Sequence, residues 1–581
     1  MFIEITMTQL LGPGPHREVV CKQQYIIESP LLSLLEYMKR KPDWLQSKGY
    51  MHITPSLSME RHWEDYYRKI TSPKYVAKYA FFPLIHRILS DRKYKKPDPK
   101  KHHIKPEKRR AHSHKKLDGS GTVKTVKQRP LHYASHFDAL IYAYYAHLLG
   151  KKYEAKLKED PELDKAILAY RTIPISKENR KGKSNIHFAH DVFEEINKRV
   201  DTDGEVAVLA IDLKSFFSTL HHPTLYKIWA YALGEDELPK DHLNVFRSCT
   251  NFSYVLYNDL KKKGTRHFDE SRLARIRKTK GFKCFFESNA DFRKAIKEGR
   301  LPVYKNPFFS DKGENGKKEP IGIPQGLPIS AVLANLYLID FDRTIINELS
   351  CKLGAHYRRY SDDILILCKP EQMTSIDDYV NELIKQFHVK ISTEKTERFL
   401  FRKMVYNQNG EKRTTAIRIV EEGEHGVNKC VIDTPLTYLG FEFRGYNTLI
   451  KSTNIAKYYR RVIEIIKRRS RRAIRLSSHN PTMPRAVYLN QVKKLYNAPI
   501  KYANKVENKQ VFRRRYSLTI DDRGDFMFDH FDVPIKQQSN YLSYIKRCKR
   551  QFGSDSFSLQ LKKKKQIIGQ AINKHLVRKS W

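Results

Sequence analysis

The sequence lacks the long apolar runs and paired cysteines that would mark a membrane or secreted protein. No uninterrupted apolar run approaches the roughly 20 residues that a membrane-spanning helix requires. The first residues, Met1 to Leu11, include Glu4 and have no basic region of the kind that opens a secretory leader. The seven cysteines contain no Cys-x-x-Cys pair, so neither a disulfide framework nor a thiolate zinc site is expected. These absences predict a soluble, cytoplasmic protein with no membrane partner.

Acidic residues are scarce relative to basic ones. The 581 residues include 64 Asp and Glu against 109 Lys and Arg, which gives a formal charge of +45 in a chain that is 40% hydrophobic. A folded protein of this charge is surrounded by counterions, and the excess predicts a polyanionic partner, with nucleic acid ahead of a membrane surface. The alternative, a surface made basic for solubility alone, does not need so large an excess.

Hydrophobic spacing divides the first part of the chain into segments. Residues 1–90 place apolar and aromatic side chains at roughly helical spacing, which predicts a helical N-terminal region. Residues 91–116 are rich in Lys, Arg, His and Pro, and they predict a mobile basic loop because little apolar surface is available to pack. The histidines of this loop have no acidic or cysteine partner, which argues against a metal site. Residues 118–127 combine a turn signal with β-branched residues and predict a β-hairpin with a cationic face.

Acidic residues lie at the end of one predicted strand and between two others. Residues 205–213 are rich in the apolar residues of a buried strand and carry Asp212 near the end. A polar corner between two short β-rich stretches carries Asp362 and Asp363. Either feature alone is more typical of a turn or a cap. Together they fit nucleotide addition to a 3′-hydroxyl, in which carboxylates from separate elements hold two metal ions about 3.5 to 4 Å apart.

Five segments, in a fixed order, resemble motifs A to E of the reverse transcriptases. In chain order they are Asp212 to Phe217, Gly322 to Ser330, Tyr360 to Asp363, Glu394 to Thr396 and Tyr438 to Phe441. The resemblance is to bacterial enzymes with a palm like that of group II introns and retrons, and it runs from Arg129 to Arg475. It implies an α+β right-hand polymerase of fingers, palm and thumb, with an antiparallel palm sheet and helical N- and C-terminal extensions.

The resemblance also implies domain boundaries. The helical N-terminal region would occupy 1–90, and the fingers with the basic loop 91–205. The palm would occupy 206–450, interrupted by a fingers or insert segment at about 223–320. A basic helical thumb and C-terminal extension would occupy 451–581.

The same resemblance assigns the metal-binding and catalytic residues. It implies that Asp212 and Asp362 hold two Mg²⁺ ions, with Mn²⁺ as an alternative, and that the Leu213 carbonyl is a further ligand. Asp363 would be the supporting carboxylate. Lys395 falls where the family has a lysine suited to protonating the leaving pyrophosphate. The alternative is an ordinary surface lysine.

Residues that contact the incoming nucleotide are assigned from the same motifs. Arg129 and Arg171 would contact the triphosphate as planar donors, and a solvated surface arginine is the alternative for each. Phe217 would be the aromatic steric gate that rejects a ribose 2′-hydroxyl, with a core phenylalanine as the alternative. Gln325 lies between glycines, whose missing Cβ atoms let the backbone approach the nucleotide closely.

Nucleic-acid contacts are expected from motif C, motif E and the thumb. Tyr360, Leu439 and Gly440 fall in the first two. Arg468 and Arg469 lie in a cationic helix that would follow the phosphates of the template-primer duplex.

These motifs imply an RNA-directed DNA polymerase that extends DNA from dNTPs on an RNA template. Ser392 replaces the usual motif D asparagine, the spacer between Asp212 and Gln325 is long, and neither an intron-endonuclease nor an RNase H signature is evident. The spacing from Tyr170-Arg171 to Gly182-Lys183-Ser184-Asn185 and the run from Leu238 to His242 look most like those of unclassified, defence-associated reverse transcriptases, including abortive-infection types. This predicts antiphage defence with a dedicated non-coding RNA as template, and a homo-oligomer is left open.

Three alternatives stay open at the level of sequence. One is a protein-primed or template-independent DNA polymerase, and another is a catalytically silent RNA-binding defence effector. The third is an RNA-dependent RNA polymerase, against which Ser361 and Phe217 argue.

Overall fold

The computed structural model describes most of the chain between Lys41 and Val577. The described residues are 41–57, 59–92, 113–115, 122–124, 126–176, 178, 182–265, 267–281, 284–311, 316–422, 427–480, 482, 486–487, 512–520, 526–534 and 540–577. Most of the expected basic loop, residues 93–112, lies outside them, as do residues 1–40 of the expected N-terminal region.

Strands and helices alternate irregularly along the described chain, which makes the protein α+β. The strands are β1 (Leu84–Arg92), β2 (Ser113–Lys115), β3 (Thr122–Lys124), β4 (Val126–Tyr133), β5 (Glu205–Asp212), β6 (Ser253–Leu256), β7 (Tyr304–Lys305), β8 (His356–Tyr360), β9 (Asp363–Cys368), β10 (Glu397–Val405), β11 (Lys412–Glu422), β12 (Val427–Ile432), β13 (Leu436–Tyr438), β14 (Phe441–Phe443), β15 (Thr448–Ile450), β16 (Phe512–Ile520) and β17 (Phe526–Pro534).

The described α-helices range in length from the 4 residues of Ser556–Leu559 to the 28 residues of Ser452–His479. They are α1 (Met59–Ile70), α2 (Pro73–Ala77), α3 (His136–Lys158), α4 (Pro161–Ala166), α5 (Asn185–Asp203), α6 (His222–Leu233), α7 (Lys240–Thr250), α8 (Glu270–Lys280), α9 (Asn289–Lys297), α10 (Ser330–Tyr337), α11 (Ile339–Ile345), α12 (Met373–Gln386), α13 (Ser452–His479), α14 (Tyr541–Phe552), α15 (Ser556–Leu559) and α16 (Lys564–Ile572).

The central sheet has the strand order β12-β11-β10-β5-β9-β8, and every pairing in it is antiparallel. Successive side chains of a strand point to opposite faces. On β5, Leu209 and Ile211 therefore lie in one hydrophobic core, while Val206 and Val208 lie in a second core on the other face. Burial on both faces explains why β5 is an almost continuous apolar run. The expected antiparallel sheet is confirmed.

A second, lateral sheet has the order β4-β1-β6-β7 and is mixed. β1 pairs antiparallel with β4 and parallel with β6, and β6 pairs antiparallel with β7. β1 corrects the expectation of a wholly helical segment at 1–90, because residues 84–92 form a strand. The partners of β1 lie far away in sequence, so local spacing gave no sign of this pairing. β6 and β7 come from the segment predicted as an insert at about 223–320.

The C-terminal extension is helical only in part. β16 and β17 form an antiparallel hairpin, which corrects the expectation of a purely helical extension. Downstream, Phe552 of α14 contacts Phe193 of α5 and Phe441 of β14, with ring centroids 6.3 Å and 5.2 Å apart. Gln560 also exchanges two hydrogen bonds of 3.0 Å with the backbone of Ile450. This packing makes residues 541–577 part of the second core.

Other local predictions agree with the structure. β2 and β3 pair antiparallel, which confirms a β-hairpin at the expected place.

Across the described ranges, no helix is both long enough and apolar enough to cross a membrane.

Candidate active site

Three aspartates lie where β5 and the β8–β9 hairpin end. Asp212 pairs with Asp363 across the antiparallel β5–β9 ladder. Tyr360 and Asp363 close the hairpin, so Ser361 and Asp362 form its turn, and Ser361 has a φ of 60°. The Leu213 N–H donates a 3.0 Å hydrogen bond to the Asp362 carbonyl. This backbone hydrogen bond joins the strand to the turn beside the three aspartates, although the two elements are separate in sequence.

The motif D segment closes the other side of Asp212. The Ser392 N–H donates a 2.8 Å hydrogen bond to the Asp212 carbonyl, and Ile391 forms a bridge with Leu213. The segment then enters a short 3₁₀ turn that ends at Lys395. The Lys395 ammonium forms an ion pair with the Asp212 carboxylate. The structure thus brings the predicted lysine to the predicted carboxylate.

A buried ion pair that the motifs did not indicate contacts the turn formed by Ser361 and Asp362. Arg359 and Asp342 have fully buried side chains and pair through two hydrogen bonds. Tyr357 donates to the same carboxylate at 2.6 Å, and an Arg359 N–H reaches the Ser361 carbonyl at 3.3 Å. Burial disfavours the charged form of Arg359, but the Asp342 carboxylate outweighs it and raises the arginine pKa above its ordinary value.

The buried pair had only a weak sequence signal. Asp342 follows a largely apolar helix, and Arg359 stands in a strand directly before motif C. Nothing in a single sequence separates these two residues from surface charges.

Two glycines let the motif B loop pack directly on neighbouring backbone. A Cβ on Gly322 would lie 2.6 Å from the Ser218 carbonyl, and one on Gly326 would lie 2.8 Å from the His132 carbonyl. Both residues also have positive φ, which favours glycine. Between them, the Gln325 carbonyl accepts a 2.8 Å hydrogen bond from the His132 N–H. Gln325 is therefore fixed between motif A and the lateral sheet.

Phe217 lies in the short 3₁₀ turn that follows Asp212. Its carbonyl accepts a 2.8 Å hydrogen bond from the Ile323 N–H, which ties it to motif B. Its side chain is half-buried, packs against the first core and lies 5.9 Å from the ring of Phe216. The position suits a steric gate and also a partly buried core residue.

The structure does not support Arg171 as a phosphate ligand. Its side chain is only 4% exposed, and its guanidinium donates two 2.8 Å hydrogen bonds to the Glu154 carboxylate. It also pairs with the Asp164 carboxylate and donates to the carbonyls of Asp164 and Ile167. Because these acceptors take all of its donor groups, Arg171 has none left for a triphosphate. Arg129 lies on β4, paired with Leu89, and is half-buried.

The predicted nucleic-acid residues occupy separate elements. The Tyr360 hydroxyl donates a 3.0 Å hydrogen bond to Asn185 at the start of α5. Leu439 and Gly440 form the turn between β13 and β14, and both have positive φ. The Gly440 carbonyl accepts a 3.0 Å hydrogen bond from the Lys451 N–H. This contact ties the motif E turn to the start of α13.

α13 carries the predicted thumb arginines. Arg468 is exposed and Arg469 is half-buried. Arg461 and Arg475 are also exposed, and they lie seven residues before and after Arg468, so all three lie near one face of the helix. The opposite face packs on the second core through Val462. The helix therefore presents a cationic stripe to solvent.

The donors at the strand ends are suited to a hard cation. Among the residues with described placement, no group of three or more His, Cys, Asp or Glu side chains could hold a metal ion. The oxygen donors at this end of the sheet include the carboxylates of Asp212 and Asp362 and the backbone carbonyl of Leu213. Mg²⁺ accepts such an all-oxygen set, because it takes one or two protein carboxylates and completes its octahedron with waters and substrate phosphates.

Comparison with known proteins identifies a domain within the chain. Residues 274–443 match the family profile described as reverse transcriptase (RNA-dependent DNA polymerase). This match covers less than half of the chain and includes Asp362 and Asp363 but not Asp212. A comparison with curated protein sequences gives no match.

Solved structures give partial similarities. Apo telomerase from Candida tropicalis, truncated from its C-terminal domain, has 11% identity and a TM-score of 0.33, with 56% of this chain and 53% of that chain covered. Another apo telomerase structure from Candida tropicalis has 12% identity and a TM-score of 0.31, covering 59% and 50%. Telomerase from Candida albicans with a fragment of telomeric RNA has 12% identity and a TM-score of 0.26, covering 54% and 40%. The chain therefore spans about half the length of these proteins or less.

Proposed function

We propose that this chain, in which residues 274–443 match a reverse transcriptase domain, is an RNA-directed DNA polymerase that builds its catalytic centre from Asp212, Asp362 and Asp363. The observation that carries the proposal is the pairing of Asp212 with Asp363, with Asp362 in the adjoining turn. In this proposal Asp212, Asp362 and the Leu213 carbonyl hold two Mg²⁺ ions, which Mn²⁺ can replace, and Asp363 supports them. When bound, such ions activate the attacking 3′-hydroxyl and stabilise the leaving pyrophosphate.

Lys395 is the proposed proton donor to the pyrophosphate. Its ion pair with Asp212 supports this role, because the ammonium is held at the carboxylate around which the reacting phosphates gather. A lysine that served only solubility would not need a partner at the catalytic strand end.

The incoming dNTP is proposed to bind beside motif B, near its contact with the lateral sheet. Gln325 supplies the backbone surface there, and the contacts of Gly322 and Gly326 with the Ser218 and His132 carbonyls hold that surface in place. Arg129 on β4 is the proposed triphosphate ligand, and Phe217 is the proposed gate against a ribose 2′-hydroxyl. Arg171 is left out of the proposal because its donor groups are already occupied.

The template-primer duplex is proposed to lie along α13. Arg468 and Arg469 would contact its phosphates, which gives affinity without sequence preference. Tyr360, Leu439 and Gly440 would contact the primer strand near its growing end. The tie between the motif E turn and α13 supports placing these residues on one continuous surface.

Substitution of the carboxylates tests the catalytic assignment. Asp212→Asn and Asp362→Asn should each reduce dNTP incorporation on an RNA template by several orders of magnitude, while RNA binding is retained. The matched control is Asp201→Asn, which changes an exposed carboxylate paired with Lys403 at the far end of the central sheet. Incorporation near wild-type rates in Asp362→Asn would remove that residue from the catalytic centre.

The same assay separates the alternative functions. A product that grows equally well without any template would assign a template-independent enzyme, and a product attached covalently to protein would assign protein priming. Intact RNA binding with no product under any condition would assign a silent RNA-binding effector.

We further propose that the template is a dedicated non-coding RNA and that the enzyme serves antiphage defence. The resemblance of the motifs to defence-associated enzymes supports the role, and the charge of +45 supports tight binding of structured RNA. Sequencing of the nucleic acid that co-purifies with the protein tests the template. Phage challenge of cells with the native locus, against an Asp362→Asn control, tests the role. Equal phage growth across a broad panel would remove defence and leave the polymerase assignment intact.

A further inference from the structure

Four aromatic rings form a continuous row across the lateral sheet. One ring comes from each strand, and neighbouring ring centroids lie 4.7 Å, 5.1 Å and 5.5 Å apart. In spatial order the rings are His132 on β4, His86 on β1, Tyr254 on β6 and Tyr304 on β7. The row begins at His132, whose backbone contacts Gln325 of motif B, and ends at Tyr304 on the edge strand β7.

Strand register explains why the rings share one face. His86 is directly opposite His132, and Tyr254 is directly opposite Tyr304. Tyr254 pairs with Leu84, which lies two residues from His86 and therefore points to the same face. Their alternating neighbours Ile85 and Val255 instead enter a separate hydrophobic core on the other face.

Exposure increases along the row. His132 is fully buried, His86 and Tyr254 are half-buried, and 37% of Tyr304 is exposed. The buried end packs against Phe252, 5.1 Å from His132, and needs no function beyond packing. The outer end differs, because Tyr254 and Tyr304 stack on each other at an interplanar angle of 23° and still face solvent.

The row starts beside the proposed nucleotide site. The His132 N–H donates to the Gln325 carbonyl at 2.8 Å, and the His132 carbonyl lies against Gly326. Burial lowers the pKa of His132 to about 3 and lowers that of His86, so both rings are neutral near pH 7. Arg300 and Lys305 are exposed, but Arg300 pairs with the Glu298 carboxylate, and Lys305 points to the face of β7 opposite Tyr304.

We propose that Tyr254 and Tyr304 form a stacking platform for the unpaired RNA template ahead of the nucleotide site. The proposal rests on the proposed polymerase function. Partly exposed, stacked aromatic rings are a surface that single-stranded nucleic acid uses, because any base can stack on a ring. Both tyrosines come from the segment between motifs A and B, so this platform is an addition made by that segment.

A template series tests the platform. Primer-template duplexes are compared with a blunt template end and with a single-stranded 5′ extension of several nucleotides that carries 2-aminopurine. Wild-type protein should bind the extended template more tightly and quench the 2-aminopurine by stacking. Tyr254→Ala with Tyr304→Ala should lose most of that advantage, which is about 5-fold or more for each ring removed, with blunt-end binding unchanged.

Two variants control for aromatic area and for folding. Tyr304→Trp keeps a stacking surface and should retain the advantage of the extended template. Tyr231→Ala removes a tyrosine of similar exposure on α6, where Lys156 lies over its ring, and should behave as wild type.

The outcomes separate the platform from the polymerase function. An equal advantage for extended templates in the double variant would overturn the platform, and so would equal weakening on blunt and extended templates. The quenching measurement can be made in an Asp362→Asn background. A wild-type protein that quenches 2-aminopurine but incorporates no nucleotide would therefore overturn the polymerase function and leave the platform standing.

Discussion

Asp342→Asn is expected to destabilise the protein severely, although the residue lies outside every motif. Asp342 and Arg359 are both fully buried, and the carboxylate accepts two hydrogen bonds from the guanidinium and one from Tyr357. The substitution removes the negative charge and keeps nearly the same shape. It leaves the arginine charge buried without its counter-ion.

The magnitude follows from burial rather than from the number of hydrogen bonds. Removing one partner of a buried ion pair costs about 3 to 5 kcal/mol, because the remaining charge is cut off from water. Arg343 and Asp340 form a matched pair in the same helix, with a distance of 2.6 Å and side-chain exposures of 35% and 47%. Asp340→Asn should cost only about 0.3 to 0.5 kcal/mol, as is usual for exposed pairs on a helix.

Urea unfolding and hydrogen exchange of peptides from β8 and β9 measure the difference. A loss of about 3 to 5 kcal/mol corresponds to roughly 2 to 3.5 orders of magnitude in exchange protection, since about 1.4 kcal/mol is a factor of ten. Replacing both partners, Asp342→Leu with Arg359→Met, should recover much of the stability. It should not recover the incorporation rate, because the Ser361 carbonyl loses its donor. A cost in Asp342→Asn no larger than that in Asp340→Asn would refute the reasoning.

Three further substitutions address sugar choice, duplex binding and pH. If the ring is the gate, Phe217→Ala should raise the ratio of ribonucleotide to deoxynucleotide incorporation by about tenfold or more. An unchanged ratio would show that Phe217 is a core residue. Arg468→Gln with Arg469→Gln should weaken duplex binding and reduce its salt slope by roughly 0.9 per lost phosphate contact; an unaltered slope would place α13 away from the duplex. His52 is buried with a pKa of about 3, below its ordinary value of 6.5. The unfolded chain therefore takes up the proton first, and stability is lost as pH falls from 6.5 towards 3. His52→Leu should flatten that loss by about 1.4 kcal/mol per pH unit, and an unchanged slope of unfolding free energy with pH would contradict the assignment.

The local structure around the candidate site that agrees with the sequence predictions depends on local pattern. The apolar run that ends at Asp212 is typical of a strand buried on both faces, and the β-formers on either side of Ser361 and Asp362 favour a turn between two strands. Lys395 was placed by its motif, and the structure brings it to Asp212. In each case, the information lies within about ten residues of the side chain concerned.

The predictions that the structure does not support concern residues whose partners lie outside the pattern that suggested the prediction. Arg171 resembled a phosphate ligand because its neighbours matched a fingers motif. Its guanidinium is instead bound by Glu154 of α3 and Asp164 of α4. β1 was missed for the same reason, since its pairing partners, β4 and β6, lie far away in sequence. The composition gives the number of charged residues, but it does not show which of them contact one another in the protein interior.

The motif B loop shows how these distant contacts produce a catalytic geometry. Gly322 packs on the Ser218 carbonyl from the motif A segment, and Gly326 packs on the His132 carbonyl from the lateral sheet. Backbone carbonyls cannot rotate away as a flexible side chain could, so each contact fixes a distance. Gln325, between the two glycines, is therefore held at a set position relative to both sheets. In the proposed catalytic arrangement, the distance between the aspartates at the end of the central sheet and the incoming nucleotide would depend on this loop, because the loop contacts the backbone on both sides.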